Sequence, residues 1–303
     1  MGGEPRVQAP PASRYPDHLR DEVERYLQTL RFTTEPGISG LEQAMRYSLL
    51  APGKRIRPVL ALATADALGR STSWVLPLAA AIELIHTYSL IHDDLPAIDN
   101  DDLRRGRATC HKAFGEDVAI LAGDGLYAEA FRLLLYEQQG QAADVLAAAA
   151  ALAAATGVQG MVGGQYLDVA GTAQSGAHGL QRLHELKTGR LIGASIECVL
   201  LLARATEPAT INAYRNFAAE LGVLFQIVDD ILDVTGSEQA LGKRQGSDER
   251  LGKRTYVTEF GLDRARELAA ESHQRARAAL TQAAPDGATQ LEQITDFIAT
   301  RTY

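Results

Sequence analysis

Apolar residues along this chain recur at helical spacing and rarely alternate with polar ones. Ala and Leu dominate, while Val, Ile and Thr are sparse, so no convincing period-two strand is found and the chain reads as all-α. Helices are expected to begin near Pro16-Asp17, Ser39, Arg57-Pro58 and Ser73. The last runs through Pro77, Ile82, Glu83 and His86 to Asp93. Pro96 lacks a backbone donor and disfavours a helical residue before it, so this helix should end or kink near Leu95. Asp99 could then fold back toward Asp93. Residues 142–155 are nearly all Ala, Leu and Val, which predicts a helix buried on every side. Residues 180–203 and 210–234 are further long helices, with Gly/Ser/Ala-rich loops at 171–179 and 235–252. No linker divides the chain and no short repeat appears, so one helical domain is expected over 17–303, after a flexible tail over 1–16.

Composition narrows the classes. Of 303 residues, 46% are hydrophobic and 22% charged, an ordinary globular balance. A net charge of −8 argues against a nucleic-acid partner, which would want a basic surface. Cys110 and Cys198 fit no metal spacing and no secreted disulfide framework, so a reducing, cytoplasmic setting is expected. No run of about 18 apolar residues is found, so no membrane span is expected. The proline-bearing tail lacks the apolar core of a signal peptide.

Two aspartate clusters change the picture: Asp93-Asp94-Leu-Pro-Ala-Ile-Asp99 and Asp229-Asp230-Ile-Leu-Asp233. Each closes an apolar helical stretch, where carboxylates are costly unless a cation or water offsets them. Asp229 and Asp233 are four apart and share a helix face, with Asp230 beside them. A single such triplet is more often a solvated surface. Here Leu221, Leu224, Ile227 and Val228 lead into it, so the carboxylates should end a core helix at a cavity. His86 lies seven residues, two turns, before Asp93 and shares its face, although a His on an apolar helix is more often packed core. His92 and His111 are read as packing residues. A calcium loop starting at Asp99 fails, because Leu103 and Arg104 stand where a ligand and a turn glycine are needed and Cys110 replaces the closing Glu.

Basic residues accompany the acids: Gly53-Lys54-Arg55-Ile56-Arg57, then Arg104-Arg105, then Lys187-Thr188-Gly189 inside an apolar helix, then Lys243, Arg244, Lys253 and Arg254. Any one alone reads as a surface charge. Gly53-Lys54 is not a phosphate loop, lacking the upstream Gly and the following Ser/Thr. Together with the carboxylates they suggest two anion sites, one bridged by Mg²⁺ and one built from Arg and Lys.

In this order the blocks resemble the short-chain trans-isoprenyl diphosphate synthases, closest to the bacterial farnesyl type. The resemblance covers about residues 41–268. It rests on Gly53-Lys54-Arg55-Ile56-Arg57-Pro58, His86-Thr87-Tyr88-Ser89-Leu90-Ile91-His92-Asp93-Asp94 and Asp101-Asp102-Leu103-Arg104-Arg105-Gly106. It continues in Gly163-Gly164-Gln165-Tyr166-Leu167-Asp168, Lys187-Thr188-Gly189 and Phe225-Gln226-Ile227-Val228-Asp229-Asp230. It closes with Leu241-Gly242-Lys243 and Leu251-Gly252-Lys253-Arg254-Thr255-Tyr256. Residues 297–303 are less distinctive and carry no functional expectation.

The resemblance implies an isoprenoid-synthase helical bundle with a central cavity, usually a homodimer, joining an allylic diphosphate to isopentenyl diphosphate. It implies that Asp93, Asp94, Asp99, Asp229, Asp230 and Asp233 hold about three Mg²⁺ ions shared with phosphate. It assigns Arg104, Lys187 and Lys243 to the allylic diphosphate, with Lys253 also at the substrates. Gly53, Lys54, Arg57, His86 and Arg105 fall to isopentenyl diphosphate. Thr188 and Gln226 would line the allylic cation, and Gln165 and Asp168 would orient cationic side chains. Tyr88, five residues or roughly 7.5 Å below Asp93, with Ser89 beside it, would be a cavity floor that stops growth at farnesyl length. Geranylgeranyl diphosphate is the alternative product. A class I terpene cyclase fits poorly, since its second motif pairs Asn, Ser and Glu. A non-catalytic subunit of a heteromeric synthase would have lost site residues that this chain retains.

Overall fold

A computed structural model describes residues 15–236 and 253–301. After α1 (Asp17–Thr29) and α2 (Ser39–Leu49), α3 (Ile56–Ala67) and α4 (Leu76–Asp93) run through the core. Most of their residues are buried, as their largely apolar sequence requires. Pro77 sits in the first turn of α4, where its missing N–H costs nothing. The chain leaves α4 after Asp93, and the Asp99 amide donates to the Asp93 carbonyl at 2.9 Å. The expected fold-back is therefore present.

A minimal antiparallel hairpin follows, β1 (Leu103–Arg104) with β2 (Arg107–Ala108). Next come α5 (Cys110–Phe114), α6 (Glu116–Glu137), α7 (Ala142–Thr156) and α8 (Met161–Val169). The expected helix over 180–203 is three pieces: α9 (Gly176–His184), a π-helical turn (Glu185–Gly189) and α10 (Arg190–Leu202). The loop expected over 171–179 is thus shorter, with α9 starting inside it. Then α11 (Pro208–Thr235), α12 (Tyr256–Phe260), α13 (Leu262–Ala283) and α14 (Thr289–Thr300) complete the bundle. The loop expected over 235–252 lies almost wholly outside the described residues, as does the tail up to residue 14.

Three expectations change. Tyr15, assigned to the tail, is buried against Phe297 and donates its hydroxyl to the Lys54 carbonyl at 2.6 Å. Helix α7 is not buried all round. Val145, Ala148 and Leu152 face the protein, chiefly α10, while Leu146 is 65% exposed. Apolar sequence says what a face can bury, not whether this chain supplies its cover. Finally, two stretches are long and apolar enough to cross a membrane, Thr72–Asp93 and Ala142–Val169. The first is 72% buried as core, and the second is broken by the turn between α7 and α8.

Candidate active site

A cavity of about 830 Å³ opens between α3, α4, α8, the π-helical turn, α11 and α14. Asp93 and Asp229 line it, and so do Gly53, Lys54, Arg57, His86, Arg104, Arg105, Lys187, Thr188 and Gln226. Tyr88 and Ser89 form part of its wall. With Gln165 also in the wall, residues from six separate sequence blocks share one chamber.

At the acidic end, burial raises Asp93 to about 6, against the counteracting charge of Lys187. Asp94 does not line the cavity. Both of its oxygens accept from Arg104, at 2.5 to 3.0 Å. Asp99 accepts from Lys253 at 2.9 Å. Asp230 is buried, one oxygen accepting from Gln226 Nε2 and the other from the Tyr256 amide, each at 2.7 Å. Thr255 presents that amide by a capping box with Thr258 at the start of α12. Asp233 is buried on the same helix. The donor set is hard carboxylate oxygen, with Asp93 and Asp229 facing the cavity, so these residues fit Mg²⁺. Among the described residues no group of three or more carboxylates, His or Cys could hold an ion unaided.

The π-helical turn places Lys187 and Thr188. One extra residue in the turn widens it, a feature frequent at functional sites. Gly164 lets α8 approach, since a Cβ there would overlap the Lys187 backbone nitrogen. Lys187 Nζ donates to Asp168 at 2.5 Å, so Asp168 does orient a cation. Gln165 does not: both ends of its buried carboxamide lack a partner. Thr188 Oγ1 donates to Gln226 Oε1 at 3.1 Å. Because Asp230 takes the Gln226 amide hydrogens, the amide oxygen is the end turned to Thr188.

At the basic end, Arg57 Nη1 meets His86 Nε2 at 3.4 Å. A guanidinium only donates, so Nε2 accepts and His86 is neutral. Burial, reinforced by Arg57 and Arg105, holds its imidazole well below the ordinary range. Burial also lowers Arg57 to about 10. A Cβ at Gly53 would overlap the Arg105 guanidinium, which itself donates to the Pro52 carbonyl at 2.8 Å. Lys243 lies outside the described residues.

Sequence reasoning missed several residues of this wall, two of them at the far end of the chain. Phe297 and Arg301 line the cavity from α14 and the residue that follows it. They form no local motif with any acidic or basic block, so only the fold brings them in. His92, read as packing, reaches the Ile120 carbonyl at 3.1 Å and also touches the cavity.

A polyprenyl synthetase family model matches residues 38–297. The chain belongs to the polyprenyl synthetase family. It is 44% identical over 93% of its length to farnesyl diphosphate synthase of Geobacillus stearothermophilus, covering 93% of that protein. It is 43% identical to the chloroplastic geranylgeranyl pyrophosphate synthase of Catharanthus roseus, over 86% of this chain and 74% of that one. A Helicobacter pylori geranyltransferase, solved in complex with magnesium and isoprenyl diphosphate, superposes with a TM-score of 0.82 at 31% identity, covering 96% of this chain and 97% of that chain. This polyprenyl synthetase is thus an all-α prenyltransferase that carries out prenyl chain elongation.

Proposed function

We propose that this polyprenyl synthetase makes farnesyl diphosphate, by Mg²⁺-dependent transfer of an allylic group to isopentenyl diphosphate. The observation that carries the reading is one cavity lined together by Asp93 and Asp229, by Lys54, Arg57, His86 and Arg105, and by Tyr88. When bound, Mg²⁺ supplies Lewis-acid stabilisation of the departing diphosphate. Asp93 and Asp229, which line the cavity, would hold it directly, with Asp99, paired to Lys253, closing the first cluster. Asp94 and Asp230 are committed to Arg104, Gln226 and the Tyr256 amide, so they would act by fixing those groups. Asp233 belongs to the same acidic set. With too few protein ligands for an ion by themselves, phosphate oxygens would complete the coordination. This accords with about three ions arriving with substrate.

Lys187, held by Asp168, and Arg104, held by Asp94, grip the allylic diphosphate, joined by Lys243 and Lys253. The Thr188 hydroxyl and Gln226 carbonyl present dipoles to the allylic cation, and the apolar wall keeps water from quenching it. Lys54, Arg57, His86 and Arg105 hold isopentenyl diphosphate so that its double bond attacks that cation. The proton then lost goes to the released diphosphate, so no protein base is required.

Tyr88 supports the C15 product. It is nearly buried and packs edge-on against Tyr127, which packs in turn on Phe131, a stack of rings below the acidic end. The chloroplastic geranylgeranyl relatives keep the C20 product as the second reading. A homodimer is favoured by exposed apolar side chains along α6, α7, α8 and the turn between the last two, with Leu121, Leu135, Tyr136, Leu146, Val158 and Tyr166 each at least half exposed. A cytoplasmic enzyme accords with two unpaired, buried cysteines. Incubation with Mg²⁺, labelled isopentenyl diphosphate and dimethylallyl diphosphate tests the reading. Linear C15 supports it, and C20 selects the geranylgeranyl alternative. Cyclic hydrocarbon or no turnover rejects it in favour of a cyclase or a non-catalytic subunit.

A further inference from the structure

The basic end of the cavity contains a buried carboxylate that the chemistry above does not use. Glu83 lies on α4 one turn before His86, is 1% exposed, and lines the same wall as Arg57 and Arg105. By Coulomb reasoning alone, a carboxylate there opposes an incoming anion.

Its contacts point elsewhere. Glu83 Oε1 accepts from Arg55 Nη1 at 2.7 Å. Arg55 also donates to Glu24 at 2.7 Å and to the carbonyls of Leu49 and Ala51, each at 2.8 Å. One guanidinium thus ties α1, α2 and α4 to the turn that precedes α3. The backbone of Arg55 is left-handed, φ 52°, a conformation a long side chain keeps only where its surroundings over-determine it. Lys54 precedes it in the turn, and Arg57 follows two residues later in the first turn of α3. Glu83 Oε2 is buried without a hydrogen-bond partner, and so is Arg57 Nε in the same wall. Burial disfavours the charged form of Arg57 and of Arg105, and Glu83 is the strongest charge opposing that effect at both.

We propose that Glu83 is a positioning residue for isopentenyl diphosphate: through Arg55 it fixes the turn that presents Lys54 and leads into Arg57 at the start of α3. The inference rests on the reading of this pocket as the isopentenyl diphosphate site.

The sign of one measurement separates positioning from plain charge. Glu83→Gln keeps the side chain's shape but removes its charge and so weakens its bond to Arg55. Positioning predicts a KM for isopentenyl diphosphate raised about tenfold, the scale of one charge-assisted hydrogen bond, with the KM for geranyl diphosphate within about twofold of wild type. Arg55→Lys keeps the charge but loses the fork, and should give the same selective defect. The double variant should be no worse than the poorer single one. A KM for isopentenyl diphosphate that falls or stays put in a folded Glu83→Gln enzyme overturns the proposal, because charge alone then accounts for Glu83. Equal rises in both KM values overturn it too, since they mark general damage to the fold. If Glu83→Gln does not fold, Arg55→Lys decides by the same split. Wild-type enzyme without any isopentenyl-dependent turnover would instead overturn the functional reading.

Discussion

Arg301, just past the last helix, donates to Asp229 Oδ1 at 3.3 Å and stacks its guanidinium 4.3 Å from the centre of the Phe225 ring. Arg57 approaches the same ring at 5.7 Å, so two cations meet at Phe225 between the acidic and basic ends. Arg301→Gln should raise the KM for isopentenyl diphosphate several-fold, about 1 kcal/mol for one charged contact at a partly open site. Steady-state kinetics with each substrate varied checks this. Unchanged KM values would leave Arg301 as a packing residue only.

Both acidic clusters should be required. Asp93→Ala and Asp229→Ala should each cut turnover by at least about a hundredfold while circular dichroism stays native, because Lewis-acid stabilisation contributes several kcal/mol. Chelation with EDTA should abolish wild-type turnover and added Mg²⁺ restore it. A folded Asp93→Ala enzyme near wild-type rate sinks the metal-clamp reading.

Proton linkage at Asp93 gives a signed pH dependence. Burial raises this carboxyl from 3.8 to about 6, so the metal-free folded protein holds a proton there that the unfolded chain has released. That stabilisation is complete below about 4 and lost as pH rises through about 6. Asp93→Asn removes the buried charge. The metal-free variant should therefore melt above wild type at pH 7.5, by on the order of 2 kcal/mol, and the gap should close toward pH 4. Thermal melts across that range in EDTA provide the check. A gap independent of pH would mean that Asp93 titrates normally.

The two anion sites should separate kinetically. Lys187→Ala leaves Asp168 without its partner and should impair use of the allylic substrate, while Arg57→Ala should chiefly raise the KM for isopentenyl diphosphate. Each loss should reach about tenfold or more, as for a charge-assisted contact to phosphate. Equal damage to both substrates in both variants would show that the division of basic residues is wrong.

Tyr88→Ala should open the cavity past the ring toward Ile85 and Ala81, both fully buried on α4. Products should shift to C20 and longer, at a stability cost of about 3 kcal/mol for the deleted ring. Chromatography of the chain-length distribution decides it. A folded, active variant that still stops at C15 excludes Tyr88 as the floor, and the Tyr127–Phe131 pair below it becomes the next candidate.

Local pattern alone carried the all-helical class and the end of α4 before Pro96, because helical period and proline stereochemistry act over a few residues. The membership of most blocks in one site came instead from their resemblance, in order, to a known family. Local pattern placed α3 within a residue of its start, yet did not see the π-helical turn at Lys187, against whose backbone Gly164 packs. Only the tertiary structure decided that Asp94 and Asp230 are spent on Arg104, Gln226 and the Tyr256 amide while Asp93 and Asp229 face the cavity. Identical residues in one cluster differ only in which partners the packed helices bring within hydrogen-bond reach. The same reason hid Arg301 and Glu83: each acts through partners far away in the chain, and burial on α4 looks alike for a core leucine and an anchored carboxylate until the helices around it are in place.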